Sequence, residues 1–377
     1  MDGTRRDFEQ SVNDGPAGLF FDRRWSATLG CLTCPELPQC GGLSVARPLF
    51  NCLDLCTCTS PHKCDNICKR NPRVFVRRLA EVRGFDLDSV PTVAVTAETK
   101  LPSVVPIIYH GYSRALPLAW NAVAVPLFDL IDRRSGTIRF HTKEELARSF
   151  NISAKALVVA TATAKDRPLE AWWGLSQRRA IIKNLLGVGV TMATTPNFSL
   201  FSSVPRWDNL YNMKRIAMAW AEMQAHGLLT ALHLNARTDA DYARWANFID
   251  RQTDLSLVAF EFGTGAGWPL RAEWHVEQLC SLAQRVGRKL TLVVRGGNRY
   301  LTQLANFFYR VVVLDTDAFM KTLKRQEATV TSDGRIIWNP TNSGPGIPVD
   351  DLLEANVRAV QESVFLRVTD KAACVVG

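Results

Sequence analysis

Long apolar segments are scarce in this chain of 377 residues, and its first residues are not apolar. The opening decapeptide, MDGTRRDFEQ, is polar and charged, and no apolar segment typical of a secretory signal follows it. The most apolar stretch, residues 115–131, is too short to span a bilayer and is interrupted by Pro117, Asn121, Pro126 and Asp129. We therefore expect a cytoplasmic protein that binds no membrane and whose thiols stay reduced.

Common catalytic motifs are also missing from the chain. No GxSxG, P-loop, GxGxxG or HExxH pattern occurs. Their absence argues against the usual serine hydrolases, nucleoside triphosphatases, dinucleotide-binding enzymes and zincins. No internal repeat is visible either, which argues against a solenoid.

Basic residues exceed acidic ones, 45 Lys+Arg against 36 Asp+Glu, for a formal net charge of +9. This balance favours a polyanionic partner. The basic residues are concentrated in the segment KRNPRVFVRRLAEVR, in which Glu81 is the single acid. We predict that a helix over residues 76–82 and the residues before it contact nucleic acid, a solvated linker helix being the alternative. The predicted contact residues are Lys69, Arg70, Arg73, Arg77 and Arg78.

Eight of the 10 cysteines lie between residues 31 and 68, in a segment with too few apolar residues to fold by burial alone. In a reducing compartment, we expect metal ligation to stabilise this segment. The predicted ligands are Cys31, Cys34, Cys40, Cys52, Cys56, Cys58, Cys64 and Cys68. Only Cys31 and Cys34 have the C-x2-C spacing of zinc knuckles, so zinc is the first expectation and a [4Fe-4S] cluster the alternative.

From Val104 onward, short apolar runs alternate with amphipathic helix patterns. The runs number eight and are continuous, as strands buried on both faces are. They are residues 104–109, 122–128, 156–160, 190–194, 228–234, 255–260, 290–294 and 311–314. This alternation predicts a (β/α)8 barrel, with an open doubly wound sheet as the alternative. The expected domains are a metal-binding module (1–72), a basic helix and linker (73–103), the barrel (104–345), and a C-terminal helix and tail (346–377).

Three acidic side chains follow two of these predicted strands. In a β/α barrel, the residues after the carboxyl ends of the strands build the site. Glu261 closes an apolar strand, where an unpaired carboxylate would be costly to bury. Asp315 ends the last strand, and Asp317 follows it as either a second acid or a helix N-cap. With Asn197 from the fourth strand, these are the predicted catalytic residues.

Further polar residues at the same strand ends are predicted to bind substrate. Arg295 is a partner for Glu261 or for a phosphate, and the two glycines after it free backbone N–H groups for an anion. A loop-shaping role for Ser199 and a buried core role for His233 are the alternatives. The predicted binding set is Ser199, His233, Asn235, Arg295, Gly296 and Gly297.

Two resemblances are visible in the barrel region. The run Thr195-Pro-Asn-Phe-Ser-Leu-Phe, with the downstream residues Trp207, Asn209 and Asn212, resembles an uncharacterised family of phage and mobile-element proteins. That resemblance covers about residues 104–330 and implies no known activity.

The strand ending in Asp315 and the polar hairpin at Ser332-Asp-Gly-Arg335 resemble the nucleophile region of tRNA-guanine transglycosylases. Those enzymes are zinc-binding β/α barrels that exchange a base in nucleic acid through an aspartate nucleophile. The resemblance implies that Asp315 is the nucleophile. The cysteines of this chain precede the barrel, whereas the zinc ligands of that family follow it.

The sequence thus predicts a metal-binding protein that acts on nucleic acid, with base or nucleotide modification in a β/α barrel. A non-catalytic nucleic-acid-binding accessory protein is one alternative. An iron–sulfur enzyme of the radical type is the other.

Overall fold

The computed structural model describes residues 78, 80–95, 100–132, 135–201, 206–267, 269–341, 344 and 346–369. The chain forms two compact units. Of the described residues, the smaller unit combines those up to 91 with those within 198–218 and 235–248. The larger unit comprises the described residues within 92–197 and 219–234 and those from 249 onward, and it contains every strand described below.

The larger unit is built on an eight-stranded sheet in which all paired strands are parallel. Its strands are β1 (Val104–Pro106), β2 (Ala122–Pro126), β3 (Leu157–Thr161), β4 (Val190–Thr194), β5 (Leu229–His233), β6 (Leu257–Glu261), β7 (Thr291–Arg295) and β8 (Arg310–Asp315). The order is β1-β8-β7-β6-β5-β4-β3-β2, so each strand from β2 onward lies beside the next in sequence. All eight predicted strands are confirmed.

The sheet is nearly closed into a barrel. A parallel bridge joins Ile107 to Ala124, and the Ile108 N–H donates to the Ala124 carbonyl oxygen at 2.8 Å. This contact brings the end of β1 beside β2 after β1 has paired with β8. The alternative of an open doubly wound sheet is wrong, because a doubly wound sheet reverses its strand order and leaves two edges.

Every strand contributes to the core inside the barrel. Small side chains, Ala124, Ala231 and Ala259, are combined there with larger ones such as Val293 and Met192, and all are buried. Alternate residues along a strand point to opposite faces. A strand that is apolar throughout therefore packs one face into the barrel interior and the other against the surrounding helices. This explains why the sequence shows continuous apolar runs rather than alternation.

Helices connect most of the strands. They are α1 (Lys143–Phe150), α2 (Asp166–Gly174), α3 (Arg178–Gly187), α4 (Arg206–Ala225), α5 (Asp239–Arg251), α6 (Pro269–Val286), α7 (Leu301–Phe307), α8 (Asp317–Leu323) and α9 (Asp350–Thr369). The helix α2 has no predicted counterpart in the sequence pattern. None of the described helices combines the length and the apolar character needed to cross a lipid bilayer.

Local signals set the helix ends. The Thr142 hydroxyl accepts from the Glu145 N–H at 3.2 Å, and the Glu145 carboxylate accepts from the His141 N–H at 2.7 Å. The first bond satisfies a donor that the first turn of α1 would leave unpaired, and the second holds the residue before the N-cap on the same glutamate. The helix α3 ends at Gly187, and Gly189 adopts the positive φ, +83°, that turns the chain into β4.

A small antiparallel hairpin follows α8. Its strands are β9 (Gln326–Val330) and β10 (Ile336–Pro340), and Gly334 in the turn has a φ of +73°. The Ser363 hydroxyl and the Arg367 guanidinium of α9 both donate to the Gly334 carbonyl oxygen. The predicted polar hairpin at residues 332–335 is thereby confirmed, and the last described helix fixes its turn.

Candidate active site at the barrel mouth

An ion pair joins two neighbouring strand ends of the larger unit. Glu261 and Arg295 lie opposite each other in the β6–β7 register. Glu261 Oε2 lies 3.4 Å from Arg295 Nη1, and the carboxylate side chain is 3% exposed. The Arg295 Nε donates to the Thr316 hydroxyl at 3.2 Å, which connects the pair to the end of β8.

Burial raises the pKa of Glu261, whereas Arg295, the Gly263 N–H and the Thr163 hydroxyl lower it by smaller amounts. The Gly263 N–H donates to Oε1 at 2.7 Å. Oε2 accepts no hydrogen bond from any described residue. Oε2 thus has the Arg295 charge beside it but no hydrogen bond that holds it, so Glu261 is well suited to give or take a proton.

His233, at the end of β5, is a neutral imidazole of fixed tautomer. Its Nδ1 lies 2.6 Å from the Thr195 carbonyl oxygen, and because a carbonyl only accepts, Nδ1 carries the hydrogen. Burial lowers the pKa of His233 to about 4, with a smaller lowering from the Arg295 charge. Nε2 therefore keeps its lone pair at neutral pH and is able to accept a proton or a hydrogen bond.

Asp315 ends β8 and caps α8. Its carboxylate accepts from the Asp317 N–H at 3.2 Å and from the Ala318 N–H at 2.8 Å. Burial raises the pKa of Asp315 to about 7, and the two backbone hydrogen bonds reduce the shift. Asp315, and not Asp317, is thus the capping carboxylate, which corrects the N-cap role considered for Asp317. Asp317 itself is exposed.

The two glycines after Arg295 are packed against an aromatic ring. Gly296 and Gly297 have φ values of +71° and +73°, and a Cβ on Gly297 would lie 2.5 Å from the Phe262 ring. Their lack of side chains therefore admits Phe262 to the loop. This structural reason accounts for both glycines, and anion binding by their backbone stays a prediction.

Asn197 follows β4 and is half-buried, and its N–H donates to the Ala162 carbonyl oxygen at 3.3 Å. The bond joins the ends of β3 and β4. Asn197 thus lies at the carboxyl ends of the strands, as Glu261, His233 and Asp315 do. A catalytic role for its amide stays a prediction.

Ser199 and Asn235 belong to the smaller unit, where a set of side chains holds the segment 198–201. The Asn235 amide donates to the Phe198 carbonyl at 2.9 Å, and the Asn212 amide donates to the Ser199 carbonyl at 2.6 Å. Asn209 and Arg237 hold the next two carbonyls, those of Phe201 and Leu200. This arrangement gives a physical reason for the Pro-Asn-Phe-Ser motif and its downstream asparagines, because those asparagines fix the loop.

Arg78 is the one member of the predicted nucleic-acid-binding set that lies within the described residues. Its guanidinium is paired with Asp208 and lies over the rings of Trp207 and Tyr211, at 5.3 and 5.0 Å from their centroids. The Tyr211 hydroxyl in turn donates to Glu81 at 3.0 Å. The Arg78 side chain therefore contacts residues of the smaller unit itself. Phosphate binding by Arg78 stays a prediction.

The predicted metal ligands, Cys31 to Cys68, lie outside the described residues, as do Lys69, Arg70, Arg73 and Arg77. Within the described ranges, no group of three or more His, Cys, Asp or Glu side chains is placed to hold a metal ion. Metal binding by the cysteines stays a prediction.

Sequence reasoning missed the aromatic residues after β1. His110 contacts Phe319 of α8 and Tyr112, with centroid distances of 5.1 and 5.0 Å, and Tyr112 is 76% exposed. The loop is held by Arg114, which donates to the Asn151 carbonyl, and by Asp350, which accepts from two backbone N–H groups. His110 directly follows the first predicted strand, so the rule that selected residues after the other strands could have identified it as a candidate.

No family model matches this chain, and no curated protein is similar to it.

The lowered pKa of His233 predicts a measurable dependence of stability on pH. Between pH 6.5 and about 4, the unfolded chain binds a proton at this residue and the folded chain does not, so acidification destabilises the fold through His233. His233→Gln removes that effect. The free energy of unfolding of the variant, relative to the natural chain, should rise by up to about 3 kcal/mol as the pH falls from neutral to about 4.

Urea unfolding at several pH values measures this difference, with His141→Gln at an exposed position as the matched control. A stability difference that stays constant over this range would contradict the buried neutral state of His233.

Proposed function

We propose that this chain is an enzyme that modifies or exchanges a base in nucleic acid, with its reaction centre at the barrel mouth. The observation that carries the proposal is the buried Glu261–Arg295 pair, with His233 and Asp315 at neighbouring strand ends. Groups whose environments push their pKa values apart are typical of acid–base catalysis.

The proton donor in this proposal is one of the two buried carboxyl groups at the strand ends. Burial raises the pKa of Glu261, and it takes that of Asp315 to about 7, a value at which Asp315 is partly ionised at neutral pH. Glu261 is the better placed of the two to exchange a proton with a substrate. Its Oε2 accepts no hydrogen bond from the described residues, whereas both oxygens of Asp315 accept hydrogen bonds from backbone N–H groups. We assign Glu261 to proton transfer.

Asp315 has the role of nucleophile in this proposal, as the transglycosylase resemblance implies. Its ionised oxygen attacks the sugar carbon of the glycosidic bond. The carbon–nitrogen bond breaks with its electron pair on the leaving base, and the proton of Glu261 is transferred to that base. The incoming base reverses these steps and releases the carboxylate. The helix α8, whose first N–H groups bind Asp315, stabilises its negative charge.

The remaining groups position the reactants. Arg295 offers positive charge to the sugar–base region or to a phosphate, and His233 Nε2 accepts a hydrogen bond from a donor on the base. The proposed nucleic-acid partner rests on the net charge of +9 and on the basic segment after the cysteines. The cysteines would hold zinc, and the metal would supply folding energy to the N-terminal segment.

A non-catalytic nucleic-acid-binding protein is the second candidate. It is favoured by the structural roles of Asp315, which caps α8, and of Gly296 and Gly297, which admit Phe262. In that case the barrel would be a scaffold, and its carboxylates would be replaceable.

The proposal predicts that Glu261→Gln and Asp315→Ala remove base modification. Loss of a proton donor or a nucleophile should lower activity by about a hundredfold or more. Mass spectrometry of nucleosides from DNA and RNA measures the modification after incubation with each variant.

Glu354→Gln, which changes a solvent-facing carboxylate of α9 paired with Arg358, is the matched control and should leave the modification unchanged. Unchanged nucleoside profiles for both barrel variants, on DNA and on RNA, would contradict the catalytic proposal and favour the scaffold.

The metal proposal has its own test. Elemental analysis of the purified chain should give zinc and no iron, and chelation should release it with loss of N-terminal structure. Serine in place of Cys31 and Cys34 should lower the zinc content, whereas serine in place of the buried Cys280 should not change it. Iron, with absorbance near about 400 nm, would overturn this assignment and point to a cluster held by thiolates.

A further inference from the structure

A cluster of aromatic rings lies beside Asp315, where β1 and β8 end. The Ile107 N–H donates to the Asp315 carbonyl oxygen at 2.7 Å, which places the segment after β1 next to the end of β8. In that segment, the centroid of the His110 ring is 5.1 Å from the ring centroid of Phe319 in α8. Phe319 is buried and directly follows Ala318, whose N–H donates to the Asp315 carboxylate at 2.8 Å. The cluster is thus at the same end of the barrel as the candidate active site.

Tyr112 is the member of this cluster that faces solvent. It is 76% exposed, the largest exposed fraction of any large apolar side chain among the described residues. Its ring centroid lies 5.0 Å from that of His110, and the two ring planes are 34° apart. The Tyr112 N–H also donates to His110 Nδ1 at 3.2 Å, so a hydrogen bond fixes the orientation of the histidine ring beside the tyrosine. An exposed ring that is supported in this way offers a π-face to a second flat group.

The charged groups around the cluster do not select a phosphate. Arg114, two residues after Tyr112, donates to two backbone carbonyl oxygens, at 2.8 and 3.2 Å. Asp350 accepts from two backbone N–H groups of the same loop, each at 3.0 Å. Asp317, in the first turn of α8, is exposed, and its carboxylate would repel a phosphate. The cluster is therefore suited to the uncharged face of a nucleic-acid base and not to the phosphate backbone.

We propose that Tyr112 is a stacking platform for one unpaired base of a single-stranded nucleic acid. The inference rests on the proposed function, because the strand is the one whose base is exchanged at Asp315, and the stacked base is a neighbour of that base. Every base has a π-face, so a tyrosine platform holds a strand without reading its sequence. The bases of a duplex are already stacked in pairs, so the platform acts on single-stranded segments.

Fluorescence anisotropy of the full chain tests the proposal, with fluorescein-labelled oligouridine and oligothymidine as the RNA and DNA probes. Tyr112→Ala should weaken single-strand binding about tenfold, as expected for the loss of one stacked base. Tyr112→Phe keeps the ring and should bind as the natural chain does. The dependence of affinity on salt concentration should be the same for these proteins, because stacking releases no counterions. A blunt DNA duplex should bind to Tyr112→Ala and to the natural chain equally.

Tyr309→Ala is the matched control. Tyr309 is 65% exposed and directly precedes β8, at the opposite end of the barrel, with Lys289 Nζ 5.0 Å from its ring centroid. Its replacement should leave single-strand affinity unchanged. Equal weakening by Tyr309→Ala and Tyr112→Ala would overturn the platform.

Two further outcomes separate the platform from the proposed base chemistry. An affinity of Tyr112→Ala equal to that of the natural chain would overturn the platform and leave the base chemistry standing. No binding of either single strand by the natural chain would overturn the platform together with the nucleic-acid partner. Weaker binding by Tyr112→Ala, with unchanged nucleoside profiles for the variants of the barrel carboxylates, would support the platform in a protein that binds nucleic acid without modifying it.

Discussion

Loss of hydration sets the direction of the pKa shifts of three titratable groups at the carboxyl ends of the barrel strands. Burial is the largest cause of the raised pKa of Glu261, of the raised pKa of Asp315 and of the lowered pKa of His233. Each group is then held by few partners: Arg295 and the Gly263 N–H for Glu261, two helix N–H groups for Asp315, and one carbonyl for His233. Because burial opposes charge on both acids and bases, it leaves carboxyl groups prone to protonation beside a neutral imidazole. Such a combination permits proton transfer in either direction near neutral pH.

The barrel produces this arrangement from its strand order. Parallel neighbours place the ends of β6, β7 and β8 side by side, which brings Glu261 opposite Arg295 and connects Arg295 to Thr316. The interior below is filled by small and branched apolar side chains from all eight strands. The polar residues therefore lie on an apolar base that excludes water. The smaller unit uses its polar residues differently, since asparagine amides and Arg237 there hold the carbonyls of one loop.

Much of the fold was predictable because a strand buried on both faces leaves a continuous apolar run, and all eight runs became strands. The helix α2 was not predicted, since it has nine residues, of which Leu169 and Trp172 are the buried apolar ones, and no capping side chain marks its start. In the site, Glu261, Arg295, His233 and Asp315 were identifiable from their places after strands. The bonds that give His233 and Glu261 distinct properties were not, because the Thr195 carbonyl and the Arg295 guanidinium reach them only through tertiary structure. The packing of Phe262 against Gly296 and Gly297 likewise depends on two strands that are distant in sequence.

The central claim is that burial at the barrel mouth sets the protonation of its acids and its histidine. A pH titration by carbon-13 NMR of the aspartate carboxyl groups tests it most directly, with the Asp315 signal assigned by its absence from Asp315→Asn. The account predicts a titration midpoint near 7 for this carboxyl group. A midpoint at the ordinary aspartate value of 3.8 would contradict it, because Asp315 would then be hydrated and fully charged at neutral pH.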